Sequence, residues 1–337
     1  MAVNNRIFYA CQAVAFVPSG TSAVAPGHVV HGVQSVGITS NFSLEQAFEF
    51  GQVEIYANSE EVGEVEVTCE KLIDGSVGLY VHAAHAQGTN VVTASSKRTD
   101  VFLAIYDDTV NAVAATAKKD VVACSGMYLS SCSWTWPVDG NATESITMVG
   151  NDKQWNTSEA GHGTTPATAW GASLNTGLSG SDTPASGLQR RFGGVSISTG
   201  GGALASDIPS HVMTQGAADS RHIQNISVSV DFGRENILEL GRFGPYYKYA
   251  TFPVEVTSEF EVIATEGDLV GVSGTNFNLG AGEQITIADS AGTRLDLGNK
   301  NKLTSVSYSG GDTGGGNATV TFSYSTFNDL TVSSGTA

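Results

Sequence analysis

Carboxylates are the residues whose spacing first suggests chemistry. Glu45 and Glu49, and again Glu235 and Glu239, stand four positions apart. On a helix that separation puts two acids on one face, where a pair can do general acid–base work or simply favour the helix N-terminus. Glu64, Glu66, Thr68 and Glu70, and again Glu255, Thr257, Glu259 and Glu261, recur at every second position, which in a strand lines them along one face. A row of like charges repels itself unless it is wet. It therefore reads either as the solvated outer face of a sheet or as the wall of a water-filled channel that keeps a passing polyanion from sticking.

Other candidates carry less. His28/His31 and His82/His85 are H-x-x-H pairs; in a strand the second pair would point to opposite faces, and neither has a third ligand in view, so no metal is expected. Trp134 and Trp136 share a face of Ser133–Pro137, as a sugar-binding platform or, the favoured reading, as core or inter-subunit packing. The four cysteines, Cys11, Cys69, Cys124 and Cys132, form no CxxC and are expected as small buried apolar residues. The signatures of nucleophilic hydrolases, P-loops, dinucleotide folds and zinc proteases are absent, so no catalytic residue, metal or cofactor is expected.

The elements that must position these residues are mainly strands. Charged residues make up 15% and apolar residues 41%, with 40 glycines in 337 positions and no G-x-y period; such a chain folds around a core and is not collagen-like. With 33 acidic against 16 basic residues the formal charge is −17, which excludes an ordinary nucleic-acid-binding surface. No run approaches the ~20 apolar residues of a membrane helix. Phe8–Val17 lacks the context of a signal peptide and reads as a strand.

The sequence repeats itself. Val33–Tyr56 aligns with Ile223–Tyr246 at a spacing of 190, with Gln34/Gln224, Phe42/Phe232, Glu45/Glu235, Glu49/Glu239, Gly51/Gly241 and Tyr56/Tyr246 identical. After a one-residue slip, Val65–Thr68 matches Val254–Thr257. We therefore expect a tandem duplication: a domain at 1–155, a Gly/Ser/Thr/Ala-rich linker or long loop at 156–188, and a second domain at 189–337. Residues 1–188 carry 7 basic and 18 acidic residues and residues 189–337 carry 9 and 15, so neither half is a basic arm.

Within each copy the period changes in the same order. Gln34, Val36, Ile38, Ser40 and Phe42, and Ile226, Val228, Val230 and Phe232, form the more apolar faces of strands. A short helix is predicted next: Ser43 and Gln46 fit a capping box, and Gly51 fits the C′ position. Gly233–Leu240 with Gly241 repeats the plan. The acidic strands follow, with turns at Asp74-Gly75, Asp107-Asp108, Asp139-Gly140, Asp289–Gly292 and Gly310–Asn317. The expected class is all-β, mainly an antiparallel barrel or sandwich, with one short helix per repeat.

The segment Phe42-x-x-Glu45-x-x-x-Glu49-x-Gly51-x4-Tyr56, followed by Val65-Glu66-Val67-Thr68-x-Glu70-Lys71 and Asp74-Gly75, resembles the tail tube proteins of long-tailed bacteriophages. Phe232–Gly241, Tyr246 and Pro253–Thr257 resemble them again, although Ala264–Asp268 replaces the Asp-Gly end. The resemblance covers about 45 residues of each half. It implies two tube domains and a structural, non-enzymatic virion protein whose rings stack into a hollow conduit for DNA ejection into the host. The motif residues would serve assembly and the acidic strands would face the lumen. The implied partners are other copies of the chain, tail sheath, terminator and baseplate proteins, and genomic DNA passing without specific binding. The implied location is the virion tail, after assembly in the host cytoplasm. Two domains per chain predict trimeric, pseudo-hexameric rings; the rival arrangement has six chains with one copy decorating the outside. A carbohydrate-binding or adhesin-like virion sandwich using Trp134 and Trp136 is the other functional reading, and a hydrolase on a β scaffold a third.

Overall fold

The computed structural model describes residues 6–21, 26–106, 120–157, 208–213, 222–242, 244–265, 270–273, 276–277, 282–289, 291–311 and 316–334. The expected linker from residue 158 onward and the Asp107-Asp108 turn lie outside these residues. Within them the chain is all-β, and every strand pairing is antiparallel.

The first half supplies β1 (Gln12–Pro18), β2 (Val33–Asn41), β3 (Leu44–Phe48), β4 (Ile55–Glu60), β5 (Glu64–Leu72), β6 (Thr89–Asn90), β7 (Arg98–Ile105), β8 (Asp120–Pro137), β9 (Thr143–Gly150) and β10 (Asp152–Thr157). Two short helices, α1 (Leu79–Ala84) and α2 (Val91–Ala94), interrupt it. The second half supplies β11 (Ile223–Asp231), β12 (Arg234–Ile237), β13 (Tyr247–Ala250) and β14 (Glu255–Ile263). It continues with the two-residue ribbon β15 (Val272–Ser273) and β16 (Asn276–Phe277), then β17 (Thr286–Ala288), β18 (Arg294–Asp296), β19 (Lys302–Ser309), β20 (Thr319–Phe327) and β21 (Thr331–Ser333).

One sheet runs through both halves in the order β19-β20-β14-β11-β8-β9-β5-β2. Divided between β11 and β8, it shows the same plan twice. In each half the strand before the hairpin (β2 or β11) lies beside the acidic strand (β5 or β14), followed by β9 or β20 and then β8 or β19. The irregularities repeat as well. The β2–β5 ladder shifts register between Val33 and Ser35, and the β11–β14 ladder between Ile223 and Asn225. The β8–β9 ladder shifts between Leu129 and Ser131, and the β19–β20 ladder between Leu303 and Ser305. A bulge costs a ladder bond and raises local twist, and here the four bulges fall at corresponding places in the two halves.

Period-two alternation gives the sheet one apolar face. Val65, Val67 and Cys69 of β5 are buried there, with Cys132, Trp134 and Trp136 of β8, Val228 and Val230 of β11, Phe260 of β14 and Phe322 of β20. This core is continuous across both halves. Onto it pack α1, α2 and a small sheet, β17-β18-β21-β6, whose last strand comes from the first half. A second apolar cluster lies where β1 pairs with β7 and β7 with the first part of β8; β1 covers most of the segment read as a strand from Phe8.

Two expectations are corrected. Ser43–Phe50 and Gly233–Leu240 are not helices but the first arms of hairpins, β3–β4 and β12–β13. Gly51 and Gly241 sit in the turns at φ +96° and +82°, where glycine carries no Cβ penalty. A lone helix of eight residues is marginal, whereas the hairpins gain a ladder. The slip between the copies also runs the other way. Register pairs Cys69 with Val36 and Phe260 with Ile226, so Glu64, not Glu66, holds the place of Glu255.

Candidate functional site

The face opposite the core is built from short polar side chains. One row crosses the whole sheet as Ser35, Glu70, Ser145, Ser133, Ser229, Thr257, Ser325 and Lys302, each opposite the next. The adjacent row reads Thr143, Thr135, Ser227, Glu259, Ser323 and Ser305. Side chains this short leave the face smooth and wet. Where they touch they satisfy one another: Ser229 Oγ lies 2.7 Å from Thr257 Oγ1, and Ser323 Oγ donates to Glu259 Oε1 at 3.3 Å. A shallow depression of about 280 Å³ lies at the middle of this face, between β9, β8, β11 and β14.

Both predicted acidic rows lie on it. Glu64, Glu66, Thr68 and Glu70, and Glu255, Thr257, Glu259 and Glu261, take the same alternating burial, each outside a buried neighbour. They are set apart by β9, β8 and β11. Glu64 is at the margin, where its Oε1 accepts from Lys248 Nζ at 2.8 Å. Sequence reasoning missed the hydroxyl rows of β8, β9, β11 and β20. Their signal was present, since Ser131–Thr135, Ser145–Thr147, Ser227–Ser229 and Thr319–Ser325 all place Ser or Thr at every second position.

The two halves meet at a seam between β8 and β11. Asn225 stands opposite Pro137, Ser227 opposite Thr135, Ser229 opposite Ser133 and Asp231 opposite Ser131. Phe232 N donates to Ser130 O at 2.9 Å, and the Phe232 ring is wholly buried beneath the Arg234 guanidinium, 5.3 Å away. Hairpin β12–β13 then folds over the first half. Arg234 Nε donates to Leu129 O at 2.8 Å and Nη1 to Ser95 O at 2.7 Å, while Tyr247 lies edge-on to Tyr128 at 5.2 Å. Burial lowers the Arg234 pKa to about 10, against the opposing pull of Tyr247 and Tyr128.

The remaining motif residues distribute between the hairpins. Glu45 stands opposite Ser59 in β3–β4 and Glu235 opposite Tyr249 in β12–β13. Glu49 and Glu239 are in the turns, so neither carboxylate pair shares a helix face. Tyr56 is exposed, and Tyr246 N donates to Ile237 O at 2.7 Å. At the tips, Phe50 and Leu240, which correspond, are both fully exposed.

Trp134 and Trp136 are buried in the core, which removes the platform that a sugar-binding reading requires. All four cysteines are buried and free; burial pushes Cys69 and Cys124 up to about 12 and Cys132 well upward. His82 and His85 lie on α1 and at its C-cap, not in a strand. His82 packs edge-on against Phe16, and burial, with the charges of Lys71, His28 and His31, pulls it down to about 3. Among the described residues no group of three His, Cys, Asp or Glu side chains is placed to hold a metal, and no helix is long and apolar enough to cross a membrane.

No protein-family model and no curated protein matches the sequence. Among solved structures, a chain of the anti-feeding prophage tube-terminating cap is similar at 15% identity and a TM-score of 0.34, over 47% of this chain and 95% of that one. A chain of the anti-feeding prophage baseplate, 6-fold symmetrised, is similar at 10% and 0.34, over 47% and 100%. A chain of the PVC sheath–tube complex of an extracellular contractile injection system in the extended state is similar at 13% and 0.33, over 46% and 95%.

Proposed function

We propose that this chain is a structural, non-enzymatic tail tube subunit carrying two tandem tube domains. Three copies close into a ring with six domain positions, and rings stack into a hollow conduit for DNA. The observation that carries this reading is the β8–β11 seam, which joins two four-strand units side by side in one sheet. A unit that joins its neighbour head to tail can go on doing so, and closes when the rotation permits. Both units sit in the same sheet, so both would line the same wall. This favours three chains over six chains with one domain outside. Three chains supply 24 strands, eight from each; at about 4.8 Å spacing and about 40° tilt such a barrel is roughly 50 Å across its backbone.

The smooth hydroxyl and carboxylate face is the one such a ring would turn to its lumen. Acidic walls repel phosphates, and the two rows offer a duplex no cation to hold it except Lys302 at the β19 end. The exposed Phe50 and Leu240 at corresponding hairpin tips would make axial contacts between rings, and the conserved pattern Phe42–Tyr56 and Phe232–Tyr246 within this chain would serve assembly. Partners are other copies, with sheath, terminator and baseplate proteins at the tube's surface and ends. The place of action is the virion tail after assembly in the host cytoplasm, and no cofactor takes part.

Electron microscopy of the purified protein tests this. Hollow tubes or rings with three chains each are expected; six full chains per ring refute the trimer, and the absence of any ring refutes the tube. Changing Glu66, Glu70, Glu255 and Glu259 to Lys should leave rings intact and make the tube retain DNA in a salt-dependent way. Unaltered DNA release would show that these residues do not face the lumen.

A further inference from the structure

We infer that the seam between chains is a translated copy of the seam within the chain: β2 of one copy pairs with β19 of the next, Asn41 opposite Ser305, with Phe42 as the buried anchor. This rests on the ring proposed above and specifies its contact.

The strand order of the sheet ends at β2 on one side and β19 on the other. Among the described residues β2 and β19 each pair on one side only. Unpaired edges are usually blunted by charge, proline or a covering segment. β2 has nine residues, Val33–Asn41, without one charged side chain or proline, and β19 has only Lys302 at its start. Neither edge is blunted by its own residues, and the two are of complementary kinds: β11, which corresponds to β2, already pairs with β8, which corresponds to β19.

Correspondence fixes the register. Asp231 faces Ser131 and Ser229 faces Ser133 within the chain. The matching bulges carry Asp231 onto Asn41, Ser229 onto Thr39, Ser131 onto Ser305 and Ser133 onto Ser307. Asn41 therefore meets Ser305, Thr39 meets Ser307, and Ile38 meets Tyr308 as Val228 meets Trp134. The Phe42 N–H then donates to Thr304 O as that of Phe232 does to Ser130 O.

Burial shows what is missing. Phe232 is 0% exposed and its counterpart Phe42 76%; Trp134 is 0% exposed and its counterpart Tyr308 56%. A hydrophobic residue exposed at an edge, whose counterpart is buried at a formed seam, is explained by a second copy of that seam. The occupant is a second copy of this chain because its β19 edge is the surface with the matching bulge and matching exposed residues. Hairpin β3–β4 would lie over that copy's second half as β12–β13 lies over the first. Its chemistry differs, since Leu44 and Asn58 stand where Arg234 and Lys248 supply cations, so this seam relies on apolar contact.

Cysteine pairs test the register in assembled protein. Residues directly opposite across a ladder have Cα atoms about 4.5–5.5 Å apart, within disulfide reach, and diagonal pairs about 7–8 Å apart are beyond it. Oxidised rings of N41C/S305C should run as covalent trimers under non-reducing conditions, and N41C/S307C should stay monomeric. Phe42→Asp should raise the concentration at which rings form about tenfold or more, with the melting temperature of the dilute chain unchanged. Rings that cross-link only through the 41/307 pair, or through neither, or that form normally with F42D, overturn the seam while leaving the tube reading standing. A protein that forms no ring overturns both.

Discussion

The strands β2 and β11 share one alternating pattern and live in different places. β11 lies in the middle of the sheet between β14 and β8; β2 lies at its end with one neighbour among the described residues. Their hairpins differ accordingly. β12–β13 is held down by Arg234, Tyr247 and Lys248, whereas every residue of β3 and β4 is exposed. The same local pattern thus gives a core element when a neighbour is present and a bare edge when it is not. What a strand buries is decided by its partner more than by its own residues.

The sharpest way to break that comparison is to truncate the paired phenylalanines. Phe232→Ala should cost about 3–5 kcal/mol in urea denaturation, as expected for a large aromatic leaving a packed core. Phe42→Ala should shift the dilute chain by no more than about 0.5 kcal/mol. Equal losses would mean that Phe42 already has a partner within the chain.

A second contrast concerns one cross-strand position on the apolar face. Lys71 and Glu144 face each other in the first half, and Val262 and Val320 hold the same places in the second. All four are buried. Glu144 accepts the N–H groups of Leu79 and Tyr80 at 2.8 Å each, and Lys71 Nζ donates to Ser76 Oγ at 2.6 Å and Val77 O at 3.0 Å. Burial raises the Glu144 pKa, while the two backbone N–H groups and Lys71 oppose that shift. Lys71 Nζ also pairs with Asp74 Oδ1 at 3.4 Å, and Glu144 satisfies the first turn of α1. Glu144→Val alone should cost about 3 kcal/mol or more, because it leaves the buried N–H groups of Leu79 and Tyr80 without an acceptor. Lys71→Val with Glu144→Val should cost less than the sum of the singles by about 1–3 kcal/mol. Additive losses would show that the two side chains do not interact.

The smallest expected effect is a pH dependence confined to the first half. The folded pKa of His82 is depressed to about 3, below its unfolded value of about 6.5. The unfolded state therefore binds the proton first, so this stability is fully present above about pH 6.5 and is lost as pH falls toward 3. Between pH 7 and pH 5 the wild-type chain should lose about 2 kcal/mol more than His82→Leu. Parallel curves for the two proteins would place His82 in contact with water.

How much of this was legible follows from what each residue encodes locally. The alternation in 33–42, 64–70, 223–232 and 254–262 is a period-two signal, and it located β2, β5, β11 and β14 and their polar faces. Leu44, Ala47 and Phe48 fit a helical stripe as well as a strand, and Ser43, Gln46 and Gly51 looked like caps. Only the partner strand, Ile55–Glu60, decides between them, and it gives no sign of pairing in its own composition. The seam was illegible for the same reason on a larger scale, because no local period in Ser131–Pro137 or Asn225–Asp231 names the other as its neighbour. The hydroxyl rows were written plainly in the sequence, but Ser and Thr at alternate positions attract less notice than Glu.

The seam between β8 and β11 has a consequence for mass action. It lies within one chain, so it forms on folding at any dilution and loses no translational freedom to a partner. In a ring of three chains, half of the junctions would be closed before any two molecules meet. Assembly would then depend on the third power of protein concentration, not on the sixth power required of six separate single-domain subunits.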